Sequence, residues 1–136
     1  MKIAVCIDEK NGMCFGGRRQ SRDSLLLADL SRHTGAGRLL ASPFSDKMLS
    51  DAKIPHFCSD GFLDIATEND VCFVENLPVS DCIKDCTEFI VYKWNRHYPS
   101  DMKLDILPED AGFSLKESYD FEGSSHEKIT KEIYVK

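Results

Sequence analysis

The residues best equipped for chemistry fall in one run, Gly16-Gly17-Arg18-Arg19-Gln20-Ser21-Arg22-Asp23. Three arginines stand just before or within the start of a helix. A helix N-terminus is already electropositive, so cations there are unfavourable. A bound anion resolves the conflict, because free backbone N–H groups and Arg18, Arg19 and Arg22 can share a phosphate or carboxylate. The alternative is a solvated loop. Asp23 itself can be a proton donor or a substrate anchor if the helix aims it into an apolar cleft, which would raise its pKa. The alternative is a helix cap with a salt bridge to Arg19 or Arg22, the commoner use of aspartate at a helix start.

Two other stretches carry functional groups. Trp94-Asn95-Arg96-His97-Tyr98-Pro99 sets the chain's one tryptophan among hydrogen-bonding side chains after an apolar run. It either stacks on a planar ligand or folds as a corner over the edge of the core. Gly123-Ser124-Ser125-His126-Glu127-Lys128 puts serine beside histidine. A working Ser–His pair needs an orienting acid and an oxyanion hole, which geometry supplies and adjacency does not. No Gly-x-Ser-x-Gly elbow occurs, so a turn between strands is the expectation.

These residues must be held by a small scaffold. The chain has 136 residues, 42% of them hydrophobic, which suits one domain with one core. Short apolar runs at Ile3-Ala4-Val5-Cys6-Ile7, Leu39-Leu40-Ala41, Val71-Cys72-Phe73-Val74 and Phe89-Ile90-Val91-Tyr92 read as strands covered on both faces. Residues 23–34 form the best helix, with Leu26, Leu30 and His33 on one stripe and Asp23, Leu27 and Leu30 on the next; Gly35 and Gly37 stop it. Shorter helices are expected over residues 45–51, 62–66 and 80–86. The last third alternates instead: Phe113, Leu115, Tyr119 and Phe121, then Ile129, Ile133 and Val135, read as two antiparallel strands. The expected fold is α/β, a single domain over residues 1–136. Its sheet is mixed and mostly parallel, with flanking helices and a C-terminal antiparallel strand pair.

Composition excludes some functions. The net charge of −6 argues against a nucleic-acid binder. Met1-Lys2 leads into an apolar run too short for a secretory signal, and no run reaches membrane-spanning length, so a cytoplasmic protein is expected. Of six cysteines, Cys6 and Cys72 sit in apolar runs as small hydrophobes. Cys82 and Cys86 would share a helix face, but no second Cys or His pair completes a zinc set, and no metal site is expected.

Both ends of the chain resemble dihydrofolate reductases. At the N-terminus the resemblance is carried by the strand Ile3–Ile7, the Asn11-Gly12 turn, Gly16-Gly17-Arg18 and the helix after them. At the C-terminus it is carried by the strand Phe89–Tyr92, Tyr98-Pro99, Pro108-Glu109-Asp110, and the strands ending at Phe121 and Val135. The resemblance implies Asp23 as the acidic residue that helps protonate a pterin. It also marks departures. Leu40-Ala41-Ser42-Pro43 stands where the family has a Gly-Arg that helps hold NADPH. Phe73-Val74-Glu75-Asn76 stands where a Gly-Gly pair lets the backbone approach that cofactor, and Glu75 would repel a phosphate. The expected function is therefore binding of a small anionic or planar ligand, with Gly16, Gly17, Arg18, Arg19, Arg22 and Trp94 as its residues. Catalysis, if retained, would be an NADPH-dependent reduction with a rebuilt phosphate site. A non-catalytic interaction or regulatory protein that uses the fold as a scaffold is the alternative. The chain also resembles a small bacterial family whose members sometimes carry the label ribonuclease Z. A nucleic-acid processing role ranks third, because His33, His56, His97 and His126 are too widely spaced for that enzyme's two-metal motif.

Overall fold

The computed structural model describes residues 1–136. In chain order the elements are β1 (Lys2–Ile7), β2 (Gly12–Phe15), β3 (Arg18–Arg19), α1 (Ser24–Ser31), β4 (Leu39–Ala41), α2 (Pro43–Asp51), β5 (Phe57–Cys58), α3 (Phe62–Ile65), β6 (Val71–Phe73), β7 (Glu88–Lys93), β8 (Met102–Lys103), β9 (Ser114–Phe121) and β10 (Ile129–Val135). The main sheet has seven strands in the order β5-β4-β6-β1-β7-β10-β9. The first five are parallel, and β10 and β9 are antiparallel to their neighbours. The expected mixed, mostly parallel sheet with a C-terminal antiparallel pair is the fold observed.

The apolar runs became central strands because both sheet faces are covered. Along β1, Ile3, Val5 and Ile7 enter one core with Phe62, Val79 and Phe113. Ala4 faces the other core, built on Leu26, Leu27 and Leu30 of α1 and Met48 and Leu49 of α2. Neither α1, with eight residues, nor α2, with nine, nor α3, with four, is long and apolar enough to cross a membrane.

Several boundaries differ from expectation for local reasons. Helix α1 begins at Ser24 because Asp23 is its cap, and it ends at Ser31. Helix α2 begins at Pro43, whose fixed φ suits a first helical turn. The helix expected over residues 80–86 is a single 3-10 turn, Ile83–Asp85. Asp105 explains its entry, because its carboxylate accepts from the Val79 and Ser80 N–H groups at 2.8 and 3.0 Å. Strands β2, β3 and β8 form a second, three-stranded sheet that was not expected. Gly16 and Gly17, both at positive φ (59° and 74°), are the two-residue turn between β2 and β3. The run Gly16–Arg19 is therefore a hairpin and not the approach to a helix.

The alternation in β9 conceals a bulge. Ile133 faces Glu117 but Tyr134 faces Leu115, so Lys116 is the extra residue. One extra residue flips the faces of everything beyond it. Phe113 is thus buried in the first core while Phe121 packs against the second. On this edge strand Leu115 and Tyr119 remain 52% and 43% exposed.

Gly37 is fixed by contact. A Cβ there would collide with the backbone carbonyl of Asn69, beside the Arg38–Asp70 pair that leads into β6. Gly37→Ala is expected to cost about 1–3 kcal/mol, as overpacking does. A lowered urea midpoint at unchanged slope checks it.

Candidate active site

From β1 the chain runs to β4 on one side, and from its neighbour β6 it runs to β7 on the other, so it leaves the carboxyl ends of these two strands in opposite directions. Crevices form at such a switch point. Here the crevice opens between the ends of β1 and β6, the start of α1 and the β2–β3 hairpin. Its walls include Cys6, Arg19, Gln20, Ser21, Glu75 and Trp94, and the cavity between them is about 10 Å³, room for a single water. A shallower groove next to it is lined by Gly17, Arg18, Arg19, Ser21, Arg22 and Phe44. Of the residues named from the sequence, Gly17, Arg18, Arg19, Arg22, Asp23 and Trp94 are thus brought to one end of the sheet, whereas Gly16 lines neither space and donates its N–H to Asp101.

Their roles are divided. Arg19 forks onto Glu75, with Nε to Oε2 at 2.9 Å and Nη2 to Oε1 at 3.0 Å, and also donates to the Phe44 carbonyl. The Ser45 hydroxyl donates to the same Glu75 at 2.7 Å. The side chains of Arg18 and Arg22 are exposed and make no hydrogen bond or ion pair with the protein, although the Arg22 carbonyl accepts from the Ser125 hydroxyl at 3.0 Å. Gln20 donates its amide to Asp8 (3.2 Å) and the Pro99 carbonyl (3.4 Å). Both partners are acceptors, so its Oε1 is fixed on the other side, where it is buried with no donor. Burial, reinforced by Glu75, pushes the Cys6 thiol well above its ordinary pKa, so it is no nucleophile.

Asp23 is buried and saturated. Its Oδ1 accepts from the N–H groups of Leu25 (3.0 Å), Leu26 (3.2 Å) and Ser124 (2.9 Å). Its Oδ2 accepts from the Ser125 N–H (2.8 Å) and hydroxyl (3.3 Å) and meets His126 Nδ1 at 3.1 Å. Burial alone would raise this carboxyl. The hydrogen bonds from Ser125, Ser124, His126 and Leu26 outweigh burial and hold it below the usual carboxylate range. It is therefore ionised at neutral pH and has no proton to give. It caps α1 and ties the β9–β10 loop to it, and neither Arg19 nor Arg22 pairs with it. Gly123 is required beside it, because a Cβ there would strike the carboxylate.

His126 is the residue whose role the sequence did not reveal. It is buried, stacked on Trp94 at 4.5 Å with 27° between ring planes. The face of Trp94 expected for a planar ligand is thus occupied by this ring. Asp23 can only accept, so Nδ1 carries the hydrogen. Nε2 is left as an acceptor, 3.1 Å from Ser21 Oγ and 3.0 Å from the Tyr98 hydroxyl.

No family model matches the sequence, and no curated protein matches it. Among solved structures the chain is similar to dihydrofolate reductase from Enterococcus faecalis complexed with NADP(H) and RAB-propyl. The TM-score is 0.69 at 11% identity, over 99% of this chain and 95% of that one. The fold is dihydrofolate-reductase-like. At that identity the likeness carries the fold alone. Within this fold the crevice lies at the strand carboxyl ends, and the Arg19–Glu75 pair stands in its wall.

Proposed function

We propose that this dihydrofolate-reductase-like domain receives a small organic anion in the groove beside β3, at the mouth of the crevice. The supporting observation is a set of unmatched groups at one place. Arg18 and Arg22 line the site without a carboxylate partner, although the chain is net negative by 6. Gln20 Oε1 lies buried in the wall of the adjoining crevice without a donor. A ligand whose anionic group pairs with the arginines, and whose N–H or O–H donor reaches the crevice directly or through one water, would complete both.

NADPH fits these residues poorly. The Glu75 carboxylate stands just past β6, where a dinucleotide phosphate would need bare backbone, and Arg19 and Ser45 already hold it in place. An ionised Asp23 with six hydrogen-bond contacts is also a poor proton source for reduction.

Thermal-shift titrations with citrate, pyrophosphate, NADPH and dihydrofolate test this. At a hundredfold excess over Kd a ligand adds about 2.7 kcal/mol, a rise of several degrees in Tm. The expected result is a rise with citrate or pyrophosphate that is lost in Arg18→Ser/Arg22→Ser, and none with NADPH. A rise with NADPH alone would restore the reductase.

A further inference from the structure

We propose that Ser21, His126 and Asp23 form a Ser–His–Asp hydrolytic triad that cleaves a small ester bearing an anionic group. The substrate class rests on the anion-receiving site above; the triad rests on its own geometry. Ser21 Oγ lies 3.1 Å from His126 Nε2, and His126 Nδ1 lies 3.1 Å from Asp23 Oδ2. Such a triad is recognised by these roles and not by order in the sequence. The three residues come from the end of the hairpin segment, the cap of α1 and the β9–β10 loop.

The surroundings suit the chemistry. Asp23 is kept ionised by backbone N–H groups, so it fixes the histidine tautomer without competing for the proton. The Trp94 ring sets the imidazole plane. Ser21 is half-exposed and borders both crevice and groove, so a substrate reaches it. The backbone N–H groups of Ser21 and Arg22 donate to nothing in the protein and are available to an oxyanion. Arg18 and Arg22 stand beside them for the substrate's anionic group.

In the reaction, Ser21 Oγ bonds to the ester carbonyl carbon as its proton passes to His126 Nε2. The carbon–oxygen bond to the leaving alcohol breaks, and His126 returns the proton to that oxygen. Water then gives a proton to His126 and attacks the acyl carbon. The Ser21–acyl bond breaks, Oγ recovers the proton, and an alcohol and an acid are released. Tyr98 is the internal competitor, because its hydroxyl shares Nε2 with Ser21.

The test is labelling with a neutral fluorophosphonate. Ser21 Oγ displaces fluoride from phosphorus, and its proton leaves through His126. Peptide mass spectrometry is expected to place the adduct on Ser21, with none in Ser21→Ala and about a hundredfold slower labelling in His126→Gln. Tyr98→Phe is expected to label at least about twofold faster, since Nε2 then serves Ser21 alone. A purely structural network would leave that rate unchanged. If His126→Gln does not fold, Ser21→Ala and Tyr98→Phe carry the test, because Ser21 and Tyr98 are both partly exposed. An adduct elsewhere, no adduct, or a rate indifferent to Tyr98 overturns the triad. Mono-4-nitrophenyl glutarate is expected to turn over faster than 4-nitrophenyl acetate. Ser21 labelling with equal rates on both esters would keep the triad and overturn the anion-receiving site. Citrate binding without labelling would do the reverse.

Discussion

Lys131→Met is expected to lower the unfolding free energy by about 3–5 kcal/mol, because it strands a buried carboxylate. Lys131 is buried, with Nζ 2.6 Å from Asp29 Oδ2. The Tyr92 hydroxyl donates to the same oxygen at 2.6 Å, and Arg32 reaches Oδ1 at 3.1 Å. Burial alone would raise the Asp29 carboxyl, but the bond from Lys131, then that from Tyr92, lowers it instead. Without the ammonium the charge remains between α1 and the sheet with weaker compensation. Adding Asp29→Asn removes that charge and keeps an oxygen for Tyr92. The double variant is therefore expected to be more stable than Lys131→Met alone. Urea midpoints at constant slope decide it. A double variant whose loss equals the sum of the singles would show that the pair is not coupled.

This pair illustrates what the sequence could carry. Lys131 sits in an alternating strand between Ile129 and Ile133, where period two puts it on the core face. A lysine there signals a buried partner, but Asp29 is 102 residues away and no local rule names it. The parallel strands were legible because burial on both faces leaves continuous apolar runs. Helix α1 was legible from its leucine stripes and its aspartate. The small sheet was not, because two-residue strands such as β3 and β8 show no periodicity. Its signal is the Gly16-Gly17 pair, since two glycines that can serve ligand approach equally specify a tight hairpin between short strands.

At the site, composition located the right regions and misassigned their partners. The arginines read as a set in sequence, yet Arg19 is tied to Glu75, 56 residues on, while the side chains of Arg18 and Arg22 stay unpaired. The charge of Glu75 marks it as hostile to a phosphate, but nothing in its neighbourhood along the chain marks it as the anchor of Arg19. Serine beside histidine drew attention to Ser124 and Ser125. The geometry gives Nε2 to Ser21, 105 residues earlier, and uses Ser124 and Ser125 to hold Asp23. Closure of the β9–β10 loop onto the start of α1 creates the network. That closure depends on strand order, which no spacing along the chain encodes.

Removal of Asp23 is the second large expected loss. Asp23→Ala deletes a helix cap, worth about 1 kcal/mol. It also leaves N–H groups of Leu26 and the β9–β10 loop without an acceptor, at about 1–3 kcal/mol for each that water cannot reach. Ser124 and Ser125 are exposed and recover water, so the net loss is expected to be about 3–5 kcal/mol. The pH dependence has a definite sign. The folded carboxyl titrates below its unfolded value of about 3.9, so its contribution is complete above that pH and is lost as pH falls through the folded value. Asp8, Asp29 and Asp70 are depressed as well and add to acid unfolding. Asp23→Asn keeps one oxygen for the cap but turns an amide toward the loop donors. It is expected to be less stable than wild type at pH 7 and to lose less stability between pH 5 and 2. Equal acid sensitivity in the two proteins would mean that the carboxylate does not accept from the N–H groups of α1 and the β9–β10 loop. If Asp23→Asn remains folded at neutral pH, its fluorophosphonate rate separates the two roles: a cap alone leaves Ser21 as reactive as before, whereas a positioning residue slows it by fixing the wrong tautomer of His126.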